Sequence, residues 1–134
     1  MESALKQFVR QRAGNQCEYC QIPSEYDRLT FQIDHVIATK HGGTDAPENL
    51  ALACWSCNVR KGPNIAGVDP HTSSMAPLFH PRRHVWSNHF RWAGAELQGV
   101  TPEGRATIHV LGINLSHRVA LRASLIEEGV FPSS

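Results

Sequence analysis

Four cysteines set as two matched pairs, Cys17-x-x-Cys20 and Cys54-x-x-Cys57, constrain this chain more than any other feature. A C-x-x-C turn places two sulfurs on one side. Two such turns brought together supply four ligands to one tetrahedral ion and leave no open position. The segment between the pairs is longer than in a simple zinc ribbon, so a small structure must fold inside it. In a reducing compartment such pairs are metal ligands more often than disulfides. A structural Zn²⁺ held by Cys17, Cys20, Cys54 and Cys57 would contribute folding free energy on the order of 10 kcal/mol. That is a large term for 134 residues built around one modest core.

Within the insertion lies Asp34-His35, and the second pair runs directly into Asn58. A carboxylate, an imidazole and an amide oxygen suit an open site for a hard divalent ion and a water. A lone Asp-His dipeptide is usually a surface or capping pair. Its place between two metal-binding turns is what makes it a catalytic candidate, and phosphodiester hydrolysis is the chemistry suggested. A thiol redox role for one C-x-x-C is disfavoured by the equal spacing of the two pairs.

Local patterning points to an α+β fold. Ser3 is expected to cap a first helix with Leu5, Phe8 and Val9 on one face and Gly14 as its stop. Residues 29–36 read as a strand, with Phe31 and Ile33 on one side and Asp34 on the other. Residues 49–53 read as a second strand, after a loop containing Gly42-Gly43. A short helix following Cys57 should end at Gly62-Pro63. Residues 63–81 show no sustained period and read as an ordered wrap over the surface. Trp86, Phe90 and Trp92 alternate inward as core, and Ala93-Gly94 turns the chain back into a hairpin. Thr101-Pro102-Glu103 should open a helix. Asn114 should start the last one, in which Val119, Leu121, Leu125 and Ile126 seek the core. The whole reads as a single domain, residues 1–134, with a core motif at 17–62 and an extension at 63–134.

A formal net charge of +1 neither demands nor excludes nucleic acid. Local basic spots matter more, and Arg60-Lys61 and Arg82-Arg83, with His80 and His84, are the candidates. No apolar run approaches a membrane span, and the N-terminus lacks the apolar centre of a signal peptide. A cytoplasmic protein with no membrane partner is expected.

The runs Cys17-Glu-Tyr-Cys20, Ile33-Asp34-His35-Val36, Gly42-Gly43, Glu48-Asn49-Leu50, Cys54-Trp-Ser-Cys57-Asn58 and Lys61-Gly62 strongly resemble the HNH endonucleases. The likeness is to the small bacterial type with a four-cysteine zinc site. It implies a zinc-bound ββα-metal core, with an N-terminal helix before it and a C-terminal β-hairpin plus helices after it. It also implies roles: His35 as general base, Asn49 bracing the loop that bears it, and Asp34 and Asn58 as ligands of a catalytic ion. The second and third motif positions are both Asn, a His-Asn-Asn variant. An amide oxygen beside a carboxylate favours Mg²⁺ or Mn²⁺ over a softer ion. The implied substrate is DNA, with RNA also compatible, cut to leave a 5′ phosphate. Lys61, Arg60, Arg82 and Arg83 would contact phosphates and make binding salt-sensitive. The rival reading, from a different class, is a catalytically inactive, zinc-stabilised nucleic-acid-binding module.

Overall fold

The chain between the cysteine pairs folds back on itself. In the computed structural model, which describes residues 1–133, β1 (Gln32–His35) pairs antiparallel with β2 (Leu50–Ala53). Ile33 lies opposite Leu52 and His35 opposite Leu50. All of Leu50–Ala53 is buried, because α1 (Ser3–Arg12) and α2 (Trp55–Lys61) both pack against this strand. Alternating leucine and alanine lets both neighbours approach closely. The first cysteine turn is stitched to β2 from the side: Glu18 N donates to Leu52 O at 2.8 Å, and Leu52 N donates to Glu18 Oε2 at 2.7 Å. Arg12 ties α1 to the start of β2 by donating to the Pro47 and Leu50 carbonyls at 3.0 and 2.6 Å.

Behind this ββα unit the extension adds two hairpins and two helices. Strands β3 (Ala66–Val68) and β4 (Met75–Pro77) form the first hairpin, which the sequence did not announce, since three residues per strand are too few for a period. Its turn is organised by Asp69, which accepts from His71 N, from Thr72 Oγ1 and from both ends of the Arg105 guanidinium. The Arg105 contact holds the Asp69 carboxyl down at about 2. Strands β5 (Phe90–Ala93) and β6 (Glu96–Gly99) make the second hairpin, turning at Gly94 with φ +62°. Helix α3 (Pro102–Leu111) starts as expected, with Thr101 Oγ1 accepting from Gly104 N at 3.0 Å and Pro102 in the first turn. Helix α4 spans Ser116–Glu127.

Several expectations are corrected. Ser3 lies inside α1, and Glu2 occupies the cap position without a side-chain cap bond. Phe8 is exposed, with the Arg12 guanidinium 5.2 Å over its ring, so Val9 alone carries the buried face of that helix. Helix α2 begins at Trp55, so Cys57 lies within it rather than before it. Asn114 starts no helix; its side chain clamps Leu97, accepting from N at 2.9 Å and donating to O at 2.8 Å. Trp86 sits in a short 3₁₀ turn, yet it stacks on Phe90 and Trp92 at centroid distances of 5.1 and 5.9 Å, which makes the aromatic group core. In α4 the buried residues are Leu125 and two arginines, Arg118 and Arg122. Among the described residues, no helix is long and apolar enough to cross a membrane.

Candidate active site

The four sulfurs converge. Cys17, Cys20, Cys54 and Cys57 are buried, and their Sγ atoms all lie within 4.8 Å of one another, with Cys20 and Cys54 at 3.8 Å. Tetrahedral zinc at about 2.3 Å from each sulfur sets sulfurs about 3.8 Å apart, so the donor set fits that ion. Backbone amides already face the sulfurs, Cys20 N to Cys17 Sγ at 3.5 Å and Cys57 N to Cys54 Sγ at 3.3 Å. Burial pushes the Cys17 thiol well up, while hydrogen bonds from the neighbouring cysteines, Cys17 first, pull Cys20 well down; four buried thiolates this close would need a cation between them. A four-thiolate zinc would carry a net charge of about −2, and Arg118 of α4 lies where it would face that charge. Arg118 donates to Cys54 Sγ at 3.5 Å and to Asp27 Oδ2 at 3.0 Å. Arg122, one turn on, donates to Ala95 O and Asn114 Oδ1 and lies 5.3 Å over the Trp92 ring.

Both cysteine turns also reach the neighbouring cleft. Tyr19, between the first two cysteines, donates its hydroxyl to Asp34 Oδ2 at 2.6 Å. From α2, Lys61 Nζ contacts Asp34 at 3.2 Å and donates to the His35 and Val36 carbonyls at 3.2 and 3.0 Å. Lys61 is therefore no surface phosphate contact: it is 1% exposed and all of its donors point inward. Burial raises the Asp34 carboxyl above the usual carboxylate range, and Lys61 and then Tyr19 pull it back part of the way. Lys61→Met would leave that carboxylate buried without its counter-charge. The variant should lose about 3 kcal/mol, the usual scale for breaking a buried pair, read from the urea midpoint; an unchanged midpoint would show that the pair carries no net stability.

The cleft itself, about 320 Å³ and open to solvent, is walled by Ile33, Asp34, His35, Thr39, Asn58 and Gly62. Asp34, His35 and Asn58 are thus brought together by β1 and α2. Asn49 lies behind them as a brace. Its Oδ1 accepts from Ile37 N at 2.9 Å, and its Nδ2 donates to Ile37 O at 3.0 Å and to Thr44 O at 2.8 Å. Gly43 is needed here, because a Cβ would lie 1.6 Å from Ile37 O. One contact was missed by sequence reasoning: His35 Nε2 lies 2.7 Å from Asp45 Oδ1 across this loop. That hydrogen bond keeps Asp45 ionised, below the usual carboxylate range.

The cleft chemistry fits a hard divalent ion. A carboxylate offers about four lone-pair sites, so Asp34 retains acceptor capacity beyond its bonds to Tyr19 and Lys61. One carboxylate and one amide oxygen, completed by water and a phosphate oxygen, are the usual donors of Mg²⁺. The other cations stand outside the cleft wall. Arg60 and Arg83 are exposed, whereas Arg82 is engaged by Glu18 and is a packing residue rather than a free cation. His80 adds no charge beside it, since burial pushes its imidazole down to about 4.

Comparison with known proteins gives concordant results. The family model described as HNH endonuclease matches residues 17–64. A curated relative, "Septu protein PtuB" of Bacillus thuringiensis, is 25% identical over 124 residues, covering 91% of this chain and 46% of the relative. The chain thus spans about half the length of that relative, and the likeness extends well into the C-terminal hairpins and helices. No solved structure matches significantly. The ββα unit with its cysteine cluster and its Asp34-His35 cleft thus coincides with residues 17–64, the stretch that matches the HNH endonuclease family.

Proposed function

We propose that the chain is a metal-dependent DNA endonuclease, with His35 as general base and Asp34 and Asn58 as ligands of a catalytic Mg²⁺ or Mn²⁺. Cys17, Cys20, Cys54 and Cys57 hold a structural zinc that fixes this arrangement. The observation that carries the reading is the sharing of one open cleft by Asp34, His35 and Asn58, with Asn49 bonded to both ends of the adjoining loop. When bound, the ion supplies Lewis-acid stabilisation of charge on the phosphoryl group and the departing oxygen. His35 takes the proton of the attacking water; its side chain is 28% exposed, enough for water to reach the ring. Asn49 keeps the loop from relaxing away from that ring.

Affinity for a polyanion must come from local cations, because a net charge of +1 produces no long-range attraction. Arg60, on the same helix as Asn58, borders an open groove of about 850 Å³ together with Arg28, His117 and the exposed Trp55. The acidic residue in that wall, Asp27, is already paired with Arg118. Guanidinium groups beside an accessible indole suit phosphates and a stacked base respectively. Arg83 is a second exposed candidate for phosphate contact. Purified protein should convert supercoiled plasmid to nicked circles in Mg²⁺ or Mn²⁺ and leave it intact when the divalent ion is omitted. A gel shift with no new ends in either ion would instead identify a binding module, and labelled RNA run in parallel would reveal a different polymer preference.

A further inference from the structure

We propose that Asp45 is a positioning residue for the general base: its carboxylate accepts the Nε2 proton of His35 and so presents the bare Nδ1 to the attacking water. The inference rests on the reading of His35 as the base. A neutral imidazole has one N–H and one accepting nitrogen, and the hydrogen bond made by one decides the role of the other. An ionised carboxylate only accepts. Asp45 Oδ1 lies 2.7 Å from Nε2, so in the neutral ring the proton belongs on that nitrogen and the free lone pair on Nδ1.

The loop appears in the sequence as a glycine-containing connection, and the structure gives it a purpose. Thr44, immediately before Asp45, offers its carbonyl to Asn49 Nδ2, and Ile37, two residues after His35, bonds the same amide through both N and O. One side chain therefore fixes both flanks of the His35–Asp45 contact. Gly42 turns the chain at φ +90°, and Gly43 packs so closely on Ile37 that no side chain fits. Thr44 Oγ1 accepts from Ala46 N at 3.3 Å, closing a tight turn around Asp45 itself. The pair is solvent-facing, with side chains 28% and 64% exposed, so it contributes little to folding. Its consequence is orientation of the ring.

The test combines kinetics with a signature that does not depend on cleavage. Asp45→Ala should lower kcat for nicking by about tenfold or more, on the scale of lost orienting partners, with KM within about twofold. Asp45→Asn, which retains an accepting oxygen, should recover most of kcat. Imidazole ¹⁵N shifts at about pH 8, above the ordinary histidine range, should show one tautomer for His35 in the parent and in Asp45→Asn. In Asp45→Ala the two ¹⁵N shifts should move towards each other. Equal melting temperature and zinc content across the three proteins exclude a merely structural effect. An unchanged kcat in Asp45→Ala, a loss confined to KM, or identical ¹⁵N shifts in all three proteins would overturn the proposal. Should the parent cut no substrate, the nuclease reading fails, whereas the ¹⁵N comparison decides the Asp45 pairing by itself.

Discussion

Cys54→Ser is expected to leave the chain largely unfolded at ordinary temperature, as is stripping zinc from the parent with a strong chelator. Cys54 holds three things at once. It is one of four sulfurs around the metal position, it caps α2 by accepting from Cys57 N, and it receives a guanidinium bond from Arg118. Zinc binding of this kind is worth on the order of 10 kcal/mol, and domains of this size are stable by only about 5–15 kcal/mol. Little folding free energy is left once the ion is lost. Removal also leaves the buried thiols without their cation and Arg118 with Asp27 as its remaining charged partner. The measurement is a circular-dichroism melt alongside elemental analysis. A cooperative transition at the parent's temperature, in protein shown to carry no zinc, would end the idea that the cluster is a folding staple.

The ββα unit was legible because each of its signals is local: matched cysteine turns, apolar strands and a Gly-Pro helix stop. The internal roles of charged residues were less so. Arg60-Lys61 reads as a basic spot, yet Lys61 lies four residues after Cys57 and so shares its buried face. That periodic signal was present, and adjacency to Arg60 concealed it. Arg118 and Arg122 are likewise one turn apart, on what looks like a solvated stripe of α4. Partners brought there by folding explain their burial: Cys54 Sγ and Asp27 for Arg118, and Ala95 O, Asn114 Oδ1 and the Trp92 ring for Arg122. Asp45 carries no local signature at all, because its partner lies ten residues back across a loop whose shape depends on Asn49 and Gly43. The β3–β4 hairpin escaped for a simpler reason, its shortness. Its register is held by Asp69 and Arg105, which are far apart in the chain.

His35→Ala should reduce plasmid nicking by about 10²–10⁴, the usual worth of a positioned general base, while zinc content and melting temperature stay close to the parent's. The separation of activity from stability follows from where the ring sits. Its side-chain partner, Asp45, is 64% exposed and can turn to water at little cost when the imidazole is removed. Lys61 and Asn49, by contrast, hold buried or half-buried acceptors in place, so their loss would lower stability together with activity. Residual cutting by His35→Ala is expected to remain dependent on divalent ion, because Asp34 and Asn58 are untouched. If His35→Ala nicks DNA as fast as the parent at equal purity, the proton is taken by some other group and the base assignment fails, even with the cysteine cluster and the cleft intact.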